Sequence, residues 1–148
     1  MDEFEVGASV KNLHKIDDFV CSRLEESGCP IKTMMKIEIV VDEICGNIVR
    51  YSGASFIRVS FSKDEDNTIT LTFTDDGKPF DPLTAKEPDI DVPFDDRPIG
   101  GLGMFIVRNT MDNLSYENKN GQNILIAKKE TVKESLKWKS NLQKTEAS

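Results

Sequence analysis

Three short stretches carry residue types that can do chemistry together. Glu43 and Asn47 lie four apart in a run of helical spacing, which puts them about 40° apart around a helix axis, on a face distinct from the Ile37/Val41/Ile44/Ile48 stripe. A carboxylate and a carboxamide one turn apart can reach one site; a solvated helix face carries the same pair. Phe73-Thr74-Asp75-Asp76-Gly77 runs a strand straight into carboxylates and a glycine. A carboxylate at a strand end accepts a hydrogen bond from an exocyclic amine, and Gly77 lets a flat ring approach the backbone, although an ordinary Asp-Gly turn has the same letters. Gly100-Gly101-Leu102-Gly103 leads directly into the apolar-periodic Met104-Phe105-Ile106-Val107. Backbone amides at such a junction bind phosphate oxygens without positive side chains. No Gly-Lys-Ser/Thr follows, so this is not a Walker A loop, and Ile106 stands where G-x-G-x-x-G needs its third glycine.

Those residues need a scaffold, and hydrophobic periodicity outlines one. Val10 to Glu26 (Val10, Leu13, Ile16, Phe19, Val20, Leu24) and Ile31 to Tyr51 (Met34, Ile37, Val41, Ile44, Ile48, Tyr51) predict two amphipathic helices. Ile57/Val59/Phe61 and Ile69/Leu71/Phe73 alternate with polar residues around Asp64-Glu65-Asp66-Asn67, which predicts an antiparallel hairpin. Leu102 to Met111 reads as a third helix. Leu114 to Glu117 and Asn123 to Ala127 read as strands joined across Asn120-Gly121, and Lys128 to Ser148 as a basic, polar tail. Five of the six prolines fall between Lys78 and Ile99, marking a loop of the length that usually serves as a lid or binding loop. Helices and antiparallel hairpins in this order predict an α+β two-layer sandwich, with a mostly antiparallel mixed sheet and helices on one face, rather than a doubly wound parallel sheet. One domain over residues 1–128 and a tail over 129–148 complete the expected organisation.

Composition narrows the chemistry. With 19 basic and 26 acidic side chains in 148 residues, the net charge is −7, which argues against direct nucleic-acid binding. A chain of this length buries roughly 68–70% of its unfolded surface and needs no disulfide or structural metal. Cys21, Cys29 and Cys45 form no C-x-x-C pair, and His14 is the single histidine; reduced thiols of a cytoplasmic protein are the expectation. The acidic N-terminus is unlike a signal peptide, and no apolar run approaches the ~20 residues of a membrane span.

The order Glu-x-x-x-Asn on a helix, Asp-x-Gly ending a strand, a long loop, then Gly-x-Gly opening a helix resembles the asparagine box and two glycine boxes of the GHKL (Bergerat-fold) ATPases. Within that superfamily, Asp75-Asp76-Gly77-Lys78-Pro79-Phe80-Asp81-Pro82 and Gly100 to Asp112 are similar to the anti-sigma-factor serine/threonine kinases. The resemblance covers residues 5 to 128. It implies ATP and Mg²⁺ as cofactors, with Asn47 coordinating the metal, Asp75 holding the adenine amino group, Gly77 shaping that pocket, and Gly101 and Gly103 contacting phosphates. It makes residues 78–99 the ATP lid, and with ATP bound Glu43, one turn from Asn47, is the candidate catalytic base for an attacking hydroxyl. Its partners would be a STAS-domain anti-anti-sigma protein carrying the target Ser or Thr and a sigma factor, with dimer or sigma-factor contacts on the first helix. A nucleotide-dependent binding module without catalysis, or a stand-alone ATPase or histidine-kinase-like domain, are the other readings. Two departures stand out: Pro79 replaces a second glycine, as the anti-sigma branch tolerates, and Asn47-Ile48-Val49-Arg50-Tyr51 lacks the histidine that often follows the asparagine. Arg50 is then either a solvated surface residue or a partner for phosphate or an acidic protein.

Overall fold

A computed structural model of the chain describes residues 2–84 and 101–131. The elements run β1 (Asp2–Gly7), α1 (Leu13–Glu26), α2 (Ile31–Asn47), β2 (Phe56–Lys63), β3 (Thr68–Asp75), α3 (Gly101–Thr110), β4 (Asn113–Lys119) and β5 (Gln122–Glu130). The five strands form one sheet in the order β1-β2-β3-β5-β4, and all four pairings are antiparallel. The predicted two-layer α+β sandwich is therefore the fold, with no parallel pair among the described residues.

Alternation along the strands sends one set of side chains toward the helices. Ile57 and Val59 on β2, Ile69, Leu71 and Phe73 on β3, and Leu125 and Ala127 on β5 are buried against Ile16, Val20 and Leu24 of α1, Ile37, Val41 and Ile44 of α2, and Val107 of α3. Burying side chains of this size stabilises the fold by about 1.5–3 kcal/mol each. The opposite face of β3 carries threonines at 68, 70, 72 and 74, as a half-covered antiparallel sheet requires. Tight turns close the hairpins: Asn67 adopts φ +61°, and Asn120-Gly121, the predicted corner, adopts φ +54° and +77°.

Several boundaries differ from expectation, each for a physical reason. β1 was not foreseen, because a short edge strand offers only Phe4 and Val6 as inward residues. Phe4 stacks on Phe19 of α1 at 5.4 Å, and Glu5 pairs with Arg58 of β2 at 2.8 Å. Val10 to Asn12 forms a 3-10 turn ahead of α1, so Val10 is exposed rather than on the buried stripe. The α-helix of α2 stops at Asn47 and continues as one π-helical turn over Ile48–Ser52, ended by Gly53 at φ +68°. The wider turn shifts the register, and Tyr51 is exposed instead of extending the apolar stripe. α3 begins at Gly101, one residue before the predicted start. β5 continues to Glu130, past the predicted end at Ala127, so Lys128, Lys129 and Glu130 belong to the sheet and not to a tail. Of the predicted lid, residues 78–84 are described, with a 3-10 turn at Pro82–Thr84; residues 85–99, and the tail from 132, lie outside the described residues.

Candidate functional site

The C-terminal end of α2 carries a connected set of polar groups. Asn47 Nδ2 donates to Glu43 Oε1 at 3.0 Å, and Arg50 Nη2 donates to Asn47 Oδ1 at 3.0 Å. The Glu43 carboxylate lies where a Cβ on Gly103 would be, so α3 passes this close only because residue 103 is glycine. Glu43, Asn47 and Gly103 thus share one place. Gly101 opens the same helix.

A second corner forms where β3 ends. Asp75 is 4% exposed and faces the helix layer. Its Oδ1 accepts from the Gly77 amide at 2.8 Å and from Asn123 Nδ2 at 3.1 Å. Among the described residues none donates to Oδ2. Burial pushes the Asp75 carboxyl above the usual carboxylate range, against the lowering effect of those two donors. Gly77 is held against the turn after α2: a Cβ there would collide with the Ser52 side chain and sit 2.8 Å from the Ser52 carbonyl oxygen. The Lys78 amide donates to that carbonyl at 2.8 Å, and Ser52 Oγ donates to Ile48 O at 2.7 Å. Ser52 therefore ties the Asp75-Gly77 corner to the segment that begins at Asn47.

Sequence reasoning missed Asn123 and gave Asp76, inside its own motif, no role separate from Asp75. Asn123 takes an inward position on β5, in line with Leu125 and Ala127, and is buried. Its Nδ2 also lies 3.0 Å from Lys78 O and 3.3 Å from Gly77 O, while Oδ1 accepts from Tyr116 Oη and from Asn118 Nδ2. The available signal was a polar residue in phase with core residues. Asp76 contrasts with its neighbour: exposed, it accepts from the Ser55 amide at 2.7 Å, the Phe56 amide at 3.2 Å and Ser55 Oγ. Ser55 holds its carboxyl below the usual range, so Asp76 pins β2 to β3 and leaves Asp75 as the carboxylate facing inward.

Past the corner, Phe80 N donates to Tyr116 Oη at 3.2 Å, and Arg108 Nη2 donates to Leu83 O at 2.9 Å and Pro82 O at 3.2 Å. The start of the long loop is thereby anchored on β4 and α3. No three His, Cys, Asp or Glu side chains among the described residues form a metal cluster. No helix among them is long and apolar enough to cross a membrane.

Serine-protein kinase RsbW of Bacillus mycoides (strain KBAB4) is 28% identical over 108 residues, covering 68% of this chain and 67% of that one. The solved RsbU and RsbW domains of Rv1364c from Mycobacterium tuberculosis superpose with TM-score 0.60 at 13% identity over 87% of this chain. The blue-light activated histidine kinase EL346 of Erythrobacter litoralis superposes with TM-score 0.50 at 16% identity over 70%. The chain spans 32% of each of those solved chains, and at such identity they establish the fold alone. The histidine kinase-like ATPase domain matches residues 6–129, from β1 through β5 and across every candidate site residue. The chain belongs to the histidine kinase-like ATPase domain family, the GHKL type anticipated from its three boxes.

Proposed function

We propose that this protein is an ATP-dependent serine/threonine protein kinase of the anti-sigma type, which phosphorylates a Ser or Thr of a STAS-domain antagonist and sequesters a sigma factor in the cytoplasm. The observation that carries this reading is the 3.0 Å hydrogen bond between Glu43 and Asn47, a carboxylate base beside a hard-oxygen metal ligand, under Gly103 of α3. The serine-protein kinase name of its Bacillus relative supports the same reaction class.

The residues present fit a magnesium nucleotide. Asp75 Oδ2 is without a donor among the described residues, and Oδ1 is fixed by Gly77 and Asn123, so the carboxylate is oriented to accept from an exocyclic amine. Asn47 Oδ1 is an oxygen donor of the kind Mg²⁺ takes. Gly101 and Gly103 offer backbone without side chains at the start of α3, where amides favour anions. Bound Mg²⁺-ATP supplies the phosphoryl group and the cation that offsets its charge. Glu43 accepts the proton of the attacking hydroxyl at an Oε, held in place by Asn47 Nδ2.

Calorimetry of ATP binding, paired with labelled phosphoryl transfer to a STAS-domain protein, tests the assignment in Glu43→Gln. Transfer should fall by about 10²–10⁴-fold, the usual worth of a general base, with ATP affinity changed by only a few-fold. Equal loss of binding and transfer removes Glu43 from the role. Nucleotide-dependent capture of the partner by the wild type without phosphorylation makes the protein a clamp instead.

A further inference from the structure

The oxygen that Asn47 would give to a metal is already engaged by a cation of the chain itself. Arg50 Nη2 donates to Asn47 Oδ1 at 3.0 Å. The carboxamide has this one oxygen, and turning it away from Arg50 would break the bond from its Nδ2 to Glu43 at 3.0 Å. Three features seat the guanidinium there. The π-helical turn over Ile48–Ser52 includes Arg50 and directly follows Asn47. Gly46 presents bare backbone, and a Cβ on it would lie 3.2 Å from Nη1 and 3.4 Å from Nη2. The Tyr51 ring centroid lies 5.6 Å from Arg50 Cζ.

We propose that Arg50 is a resident cation that competes with Mg²⁺ for the oxygen of Asn47, so that the metal enters only as the guanidinium leaves. The inference rests on the reading of Asn47 as the metal ligand. Two cations on one carbonyl oxygen repel each other across a few ångströms. Arg50 is exposed, so it can swing into solvent without disturbing the core. Its departure sets a magnesium threshold for nucleotide loading, and Glu43 keeps its bond to Asn47 throughout.

The test measures ATP affinity of the full chain by calorimetry with excess Mg²⁺ and with EDTA, for wild type and Arg50→Ala, at 0.15 M and 0.5 M KCl. The ratio of the two affinities reports the metal's contribution. Replacing a charge-assisted hydrogen bond at an exposed position should raise that ratio by about three- to tenfold in the variant. The rise should persist at high salt, where longer-range charge effects are screened. An unchanged or smaller ratio overturns the proposal, and so does a rise that vanishes at 0.5 M KCl, since that is charge alone. A wild type that binds ATP in neither condition overturns the nucleotide reading itself, a result distinct from either.

Discussion

Asn123 Nδ2 donates to Asp75 Oδ1 at 3.1 Å and lies 3.0 Å from the Lys78 carbonyl oxygen, so one side chain of β5 fixes both the end of β3 and the start of the long loop. Asn123→Ala leaves the Asp75 carboxylate short of a donor in a buried place. The loss should cost about 1–3 kcal/mol, several degrees of melting temperature, and should weaken ATP binding through the misdirected carboxylate. Thermal unfolding with and without Mg²⁺-ATP checks both; a variant that melts normally and keeps its full ATP response shows that Asp75 needs no help from β5.

Asp75→Asn separates binding from folding. Burial raises the Asp75 carboxyl, which means the folded chain carries a penalty for its charge that the amide relieves. The nucleotide-free variant should therefore melt no lower than wild type. Its ATP-induced shift should disappear, where wild type at 100 times its dissociation constant gains about 2.7 kcal/mol. A retained shift places the adenine contact elsewhere.

The two packed glycines should respond differently to an added methyl. At Gly77 the obstacle includes the Ser52 backbone oxygen, which has little room to move, so Gly77→Ala should lose about 2 kcal/mol or more of stability. At Gly103 the obstacle is the far end of the Glu43 side chain, which can rotate away. Gly103→Ala should fold to within about 1 kcal/mol of wild type yet lose phosphoryl transfer, because the carboxylate is driven off Asn47. Denaturant melts and a transfer assay distinguish the two; a fully active Gly103→Ala refutes the placement of Glu43.

What was legible in the chain was what local pattern encodes. The α2 stripe, the alternation of β2 and β3, and the Asn120-Gly121 corner announce themselves through periods of 3.6 and 2 and through φ > 0. The candidate site residues Glu43, Asn47, Asp75, Gly77, Gly101 and Gly103 were singled out by the order of their three stretches and its resemblance to the GHKL boxes, since each stretch alone also reads as a solvated face, a turn or a helix entry. Asn123 was not, since an asparagine on a strand reads as surface until its phase with Leu125 and Ala127 is set by pairing with β3. The π-helical turn after Asn47 was equally hidden: Tyr51 follows Ile48 at ordinary helical spacing in the sequence, and only the wider turn that also holds Arg50 puts it out of phase and exposes it. Strand β1 needed Phe19 and Arg58, distant in sequence, to become a strand at all.

Asp17 on α1 looks like one acid among many, but it lies against Asp42 of α2 with Glu38 and Asp18 nearby. Burial, then a hydrogen bond to Asp42 and repulsion from the neighbouring acids, raises its carboxyl to about 7. The sign follows from linkage. A carboxyl raised above its unfolded value near 3.8 holds a proton in the folded state that the unfolded chain has released, so its stabilisation is full below about pH 4 and is lost as pH rises through about 7. The side chain is partly exposed, and after solvent screening the effect should be on the order of 1 kcal/mol. Wild type should then melt a few degrees higher at pH 5.5 than at pH 8, and Asp17→Asn should flatten that difference by removing the shared proton between the two helices. If Asp17→Asn keeps the wild-type slope, the pH response belongs to another group, and the α1–α2 contact carries no proton at neutral pH.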